Sequence, residues 1–383
     1  MFVFRSVPEI VVGVGAALQL PQLLQQRWNP QRVLLVTDAA LRRTGLLDAP
    51  LRSMADAGIA VAVFDGVQAD PPEAVVRLAL AAVREADAQL VLSIGGGSSM
   101  DVAKLVAVFA HGPQDFSTAY GIDKVTQPRA LPLVQVPTTA GTGSEVTPVA
   151  IVTTGATTKS GIVAAALYAD LAVLDASLTV GLPRAVTAAT GIDAIVHAVE
   201  AYTSRIKKNP LSDGLAREAL RLLSRSLLRA CTQGDDLAAR SDMLVGAMLA
   251  GQAFANAPVG AVHALAYPLG GLFHIPHGLS NALMLSPVLH FNLPEAAPLY
   301  AELAAIVSPE VCGDTLQRAA GFIAALEALL NASGVERRLG QLGIGPTDVP
   351  QLAQQAMLQQ RLLVNNPRAV TEADARALYT QAL

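Results

Sequence analysis

Aromatic residues make up only 4% of this 383-residue chain, charged residues only 15%, and there are just two cysteines. Cys231 and Cys312 lie far apart and form no metal-type spacing, so a reduced cytoplasm is the expected setting. The net charge of −4 comes without any Lys/Arg cluster, which argues against nucleic acid or an anionic membrane as partner. The start MFVFRSVPEI lacks a basic segment followed by an apolar core and cleavage site, so no signal peptide is expected. Mean hydropathy is high at +0.42. Even so, Gly, Pro, Asn and His break every apolar stretch before it reaches the ~20 residues of a membrane span.

What is present is an Ala/Leu/Val-rich, helix-friendly composition, long enough for two domains. Residues 243–294, a run of 52, contain no Asp, Glu, Lys or Arg, yet they carry His263, His274, His277 and His290, four of the six histidines. So apolar a stretch is expected to be buried, and a buried imidazole needs a partner. Upstream, GIDAIVHAVEAYTS sets Asp193 and His197 four apart, on one face of a helix. One carboxylate with two or three imidazoles in apolar surroundings is the raw material of a mononuclear metal site.

The first half alternates. Residues 33–38, 59–66, 89–94 and 131–137 read as strands. Between them, Val75, Leu78, Ala79, Ala82 and Val83 follow helical spacing after Pro71 and Pro72, and DVAKLVAVFA reads as a further helix. This alternation implies a largely parallel sheet covered on both faces. From about Pro183 the period is helical and no strong strand candidate remains, ending in a helix that Thr371 and Asp374 would cap. The expected architecture is α/β plus all-α: a Rossmann-like parallel-sheet domain over residues 1–182 and a helical domain over 183–383.

In SIGGGSSMDVAK, Gly95, Gly96 and Gly97 follow a strand and open a helix, where backbone N–H groups and the helix dipole favour an anion. Ser98 and Ser99 could cap that helix or donate to phosphate. No Gly-Lys-Ser/Thr follows, so it is not a Walker loop, nor is it the usual GxGxxG. PTTAGTGSEVT offers Thr138, Thr139, Thr142 and Ser144 beyond the last parallel strand, where such sheets bind ligands. Asp38 ends its strand, where an acid can accept from a ribose diol and repel a 2′-phosphate.

These segments, with LTVGLPRAVTAATGIDAIVHAVEAYTS, PHGLSNALML and the NNPR tail, occur in an order that resembles the iron-containing (group III) alcohol dehydrogenases over nearly the whole length. The resemblance implies a Rossmann-like domain followed by a helical one. It makes Asp193, His197, His263 and His277 the metal ligands, choosing the His of Pro-His-Gly over His274. It assigns cofactor contacts to Asp38, Asp70, Gly96, Gly97, Ser98, Asp101, Thr138, Thr139, Thr142 and Lys159. Asp70 stands where relatives often have Asn. Phe254 would wall the substrate pocket, and Tyr267 replaces a His that many members carry four residues after the ligand at His263, removing a group that titrates near neutrality.

The expected chemistry is NAD(H)-linked interconversion of a small alcohol and aldehyde, with Fe²⁺ favoured by the resemblance and Zn²⁺ also compatible with the donors. Few charges near the metal favour a neutral substrate over a polyanion. A glycerol-dehydrogenase-like or dehydroquinate-synthase-like Zn/NAD enzyme is the alternative, and a phosphate-bearing substrate would call for Lys and Arg that the uncharged run lacks. A non-catalytic nucleotide-binding protein would have no reason to hold nucleotide loops and four ligands together. The family is usually dimeric or larger, and the apolar start could lend an edge strand to a partner.

Overall fold

The computed structural model describes residues 1–155 and 158–383, which fall into two compact units. One comprises Ser6–Thr139 and Gly143–Val180; the other comprises Met1–Arg5, Ala140–Thr142 and Gly181–Leu383.

The first unit is built on strands β1 (Glu9–Val12), β2 (Arg32–Asp38), β3 (Ala60–Val67), β4 (Leu90–Gly95), β5 (Gly121–Ile122), β6 (Leu133–Pro137), β7 (Val149–Thr154), β8 (Thr158–Val163) and β9 (Leu171–Leu174). Six of them form a fully parallel sheet in the order β1-β9-β6-β4-β2-β3. Its helices are α1 (Leu20–Arg27), α2 (Ala39–Arg43), α3 (Asp48–Asp56), α4 (Glu73–Glu85) and α5 (Gly97–Phe109). Alternate strand residues Val33, Leu35, Leu90, Leu92, Ile94, Val134 and Val136 face one way and close a core with Leu20, Leu24, Leu47 and Met54. α5 packs on β4 and β6, and α4 on β2 and β3. Both faces are therefore covered, as the near-continuous apolar strands require. The chain turns from β2 to β3 on one side and then to β4 on the other, so the strand order reverses beside β2.

Two details differ from the sequence reading. The buried face of α4 is Val75, Val76, Ala79, Leu80 and Val83, while Leu78 is 62% exposed. Two stripes share Val75, Ala79 and Val83, and only tertiary packing chooses between them. The second difference is a smaller sheet, β5-β8-β7, in which β7 and β8 are antiparallel. Its strands VAIVTT and TKSGIV mix short apolar runs with polar ones and carry no sustained alternation. Residues 9–12 of the apolar start pair with β9, and β1 is an edge strand of the sheet.

The other unit consists of α6 (Arg184–Thr203), α7 (Pro210–Thr232), α8 (Leu237–Asn256), α9 (Ala261–Phe273), α10 (His277–Val307), α11 (Thr315–Ser333), α12 (Val349–Met357), α13 (Gln360–Leu363) and α14 (Glu372–Ala382). Among the described residues no strand follows Leu174. α14 begins with the expected capping box of Thr371 and Asp374. No single helix among the described residues is long and apolar enough to cross a membrane.

Candidate metal and nucleotide sites

α6 is buried along nearly its whole length, which sets Asp193 and His197 inside the helical unit. Asp193 Oδ1 lies 4.0 Å from His197 Nε2, 3.8 Å from His263 Nε2 and 3.6 Å from His277 Nε2. The ligand atoms of all four residues fall within 4.8 Å of one another. Tetrahedral donors with bonds of about 2.1 Å stand about 3.4 Å apart, so the quartet is close to a metal's donor shell. Its charge points the same way. Burial lowers the pKa of His197, and lowers that of His263 well below normal with help from His197 and His277. Burial therefore disfavours the charged form of both rings. Burial also opposes ionisation of Asp193, yet the imidazoles and Asn281 keep its pKa below the usual value. A buried carboxylate facing three imidazole nitrogens, with one amide donor, fits a bound cation.

The ring of His197 is held in a stack, 4.3 Å from Phe254 on one side and 4.7 Å from His263 on the other. His263 and His277 meet at 5.3 Å, and Tyr267 lies 6.0 Å from His277. The structure thus brings Phe254 and Tyr267 to the quartet. It leaves out the other two histidines of the uncharged run, and here the expectation of burial fails. His274 ends α9 in the left-handed conformation and is exposed. His290 turns outward from α10, where its Nε2 lies 3.0 Å from Glu327 of α11.

The structure gives roles to four further features. Glu200, one turn beyond His197 on α6, has Oε2 2.6 Å from His263 Nδ1 and accepts from the Val262 N–H at 2.7 Å. It fixes the ring of the ligand and satisfies a free donor in the first turn of α9. Burial pushes its pKa to about 7 against those hydrogen bonds. Asn281, one turn into α10, donates to Asp193 Oδ1 at 2.6 Å. Gly278 packs so closely on α6 that a Cβ would stand 2.4 Å from the Ala189 carbonyl oxygen. That contact explains the glycine after His277: it brings the start of α10, and with it the ligand, against the helix that carries Asp193 and His197. The NNPR tail acts on α9. Asn365 donates to the Val259 carbonyl at 3.1 Å, and Asn366 accepts from the Ala261 N–H at 3.3 Å.

In the sheet unit, Asp38 ends β2, Gly96–Ser98 follow β4, and Thr138 and Thr139 follow β6. All lie at the C-terminal ends of adjacent parallel strands, flanking the reversal in strand order where α/β sheets bind ligands. A Cβ at Gly95 would stand 2.7 Å from that of Ser99, so strand and helix join too tightly for any side chain there. The N-cap of α5 is Gly96 with no side-chain cap, so Ser98 and Ser99 do not cap the helix; they lie in its first turn instead. Its N-terminal donors face the end of the strand, as anion binding needs. Asp38 caps α2 through a 2.8 Å bond from the Leu41 N–H.

Asp70 adopts φ 51°, a left-handed conformation that suits Asp and Asn. It pairs with Lys159 Nζ at 2.7 Å, so two of the candidate contacts meet each other. Asp101 lies inside α5. Its Oδ1 accepts from Ser144 Oγ at 2.6 Å and its Oδ2 from the Ile151 N–H at 2.9 Å. The fully buried Lys104 completes this group, donating to Ser144 Oγ at 2.6 Å and to the Val149 carbonyl at 2.6 Å. Thr142 is grouped with the helical unit.

A parallel sheet of the kind that binds nucleotides and a three-histidine, one-carboxylate quartet fit a metal-dependent dehydrogenase. Residues 8–176 match the family model "Iron-containing alcohol dehydrogenase", and residues 187–383 match "Fe-containing alcohol dehydrogenase family, C-terminal". Long-chain-alcohol dehydrogenase 1 of Geobacillus thermodenitrificans is 40% identical over 376 residues, 97% of this chain and 94% of that protein. The 1,3-propanediol dehydrogenase of Klebsiella pneumoniae is 39% identical over 379 residues, 98% and 95% of the two chains. A solved structure of 1,3-propanediol oxidoreductase superposes with a TM-score of 0.96 at 38% identity, covering 100% of both chains. The chain belongs to the iron-containing alcohol dehydrogenase family. It is an oxidoreductase that transfers hydride between a nicotinamide cofactor and an alcohol or aldehyde.

Proposed function

We propose that this enzyme interconverts small alcohols and aldehydes with NAD(H) and a bound Fe²⁺, held by Asp193, His197, His263 and His277. The observation that carries this reading is the convergence of four ligand atoms within 4.8 Å of one another. A divalent ion there would polarise the substrate oxygen and lower its pKa, and nicotinamide would exchange the hydride. The chain's own residues prepare that event. Glu200 orients His263, Asn281 steadies Asp193, and Phe254 buttresses His197 while walling the substrate. The donors suit Zn²⁺ as well, and membership of the family favours iron.

The dinucleotide is assigned to Asp38, Asp70, Gly96, Gly97, Ser98, Asp101, Thr138, Thr139, Thr142 and Lys159. Asp101 and Lys104 contribute by holding the Ser144 segment. Asp38 selects NAD over NADP by repelling a 2′-phosphate. The working form is a homodimer or larger homo-oligomer in a reduced cytoplasm, consistent with the edge strand β1 and two free cysteines. The test is an anaerobic, Fe²⁺-reconstituted screen of alcohols and aldehydes, following NADH absorbance in both directions, beside metal analysis by mass spectrometry. Metal-dependent turnover with NADH is expected. A fully loaded enzyme that turns over nothing in the panel would refute the reading.

A further inference from the structure

An exposed cation from elsewhere in the chain stands beside the uncharged run. Arg361, on the short helix α13, reaches back to α9, and its Nη2 stands 3.3 Å from the Tyr267 hydroxyl. Its guanidinium carbon is 5.8 Å from the centre of that ring. Tyr267 in turn lies 6.0 Å from the ring of His277. His277 is the accessible member of the quartet, with 33% of its side chain exposed against 5% or less for the other three. Among the described residues no carboxylate pairs with Arg361, whereas nine other arginines each hold an Asp or Glu at 3.0 Å or closer.

An uncompensated guanidinium is a planar fork of donors matched to an oxyanion, and it is worth most where nearby groups are apolar. The phenol beside it adds a second donor. We propose that Arg361 and Tyr267 form an anion-recognition subsite beside the metal ligands, selecting short alcohols and aldehydes that end in a carboxylate: hydroxy acids and their semialdehydes. The carboxylate is held by Arg361 and Tyr267 on the His277 side, which directs the opposite, reacting end of a short chain toward the quartet. Counting charges along the sequence favoured a neutral substrate only because Arg361 lies outside the uncharged run.

This inference rests on the hydride-transfer reading above, and one set of measurements separates the two. Metal-loaded wild type, Arg361→Ala, Arg361→Lys and Tyr267→Phe are assayed with NADH on succinate semialdehyde and on its neutral counterpart, butanal. The ratio of the two kcat/KM values should fall on the order of 10- to 100-fold in Arg361→Ala, chiefly through KM for the anion. Arg361→Lys should recover part of the loss, and Tyr267→Phe should reduce the ratio less. Added salt should lower the wild-type ratio and leave that of Arg361→Ala unmoved. An unchanged ratio in Arg361→Ala overturns the subsite while leaving the dehydrogenase reading intact. If wild type turns over neither aldehyde, the dehydrogenase reading fails instead. Calorimetry with 4-hydroxybutyrate on the NAD-loaded protein then decides the subsite: weaker binding in Arg361→Ala supports it, and equal binding rejects it.

Discussion

Glu200 Oε2 lies 2.6 Å from His263 Nδ1, so one carboxylate behind the candidate quartet fixes the ring whose Nε2 faces Asp193. The same residue accepts from the Val262 N–H, tying the start of α9 to α6. Glu200→Gln keeps the size and one acceptor but loses the charge that strengthens the hydrogen bond to imidazole. Loss of such an outer partner typically costs about 10- to 100-fold in metal affinity. Chelator competition should register that weakening while NADH binding is retained. An unaltered metal Kd would reduce Glu200 to a helix cap.

The position of His277 depends on Gly278. An added methyl would meet the Ala189 carbonyl oxygen at 2.4 Å, a backbone atom that cannot swing aside, so α10 must shift off α6. Gly278→Ala should therefore lower metal occupancy almost as far as His277→Ala does. His274→Ala and His290→Ala, at exposed positions, should keep the ion. Mass-spectrometric metal content of the four purified variants checks this. Full occupancy in His277→Ala, or loss in His274→Ala, would mean that the wrong histidine has been assigned.

Much of the site could be read in sequence because its signals are local. Asp193 and His197 share a helix face by spacing alone, and the glycines of residues 95–97 mark a strand-to-helix turn. What escaped depends on contacts between distant segments. Glu200 looks like any solvated helix acid until α9 is laid beside α6. Lys104 looks like a surface lysine until Ser144 and Val149 surround it. Arg361 sits in a polar tail whose fold brings it to Tyr267. The side of α4 that Leu78 would occupy was lost for the same reason, since two stripes of equal merit share three residues.

Asp38 should determine cofactor choice. Its carboxylate ends β2 and caps α2, beside the reversal in strand order. Asp38→Gly removes the negative charge and preserves a tolerated N-cap residue. NADPH use should improve, and the NADH preference should narrow by at least about 10-fold, the equivalent of roughly 1.4 kcal/mol. Comparing kcat/KM for the two cofactors in wild type and variant tests this. A wild type that already uses both equally would remove the role given to Asp38.

Glu145, fully buried in the sheet unit beside Lys104, gives a pH dependence with a definite sign. Burial is the dominant influence and pushes its pKa up to about 7 from 4.5, with the Lys104 charge opposing. Below the unfolded value both states hold the proton and the group has no effect on the pH slope. As pH rises from there toward 7, the unfolded chain releases its proton while the fold retains it, so stability falls. Above the folded value both states are ionised and the loss levels off. A shift of this size corresponds to an upper bound of roughly 3 kcal/mol. Glu145→Gln removes the titration but keeps the shape. Thermal melts of wild type and variant between about pH 5 and 8 should diverge as pH rises, with the Gln variant increasingly the more stable. Parallel curves across that range would mean that the carboxylate is ionised in the fold, neutralised by Lys104 rather than protonated.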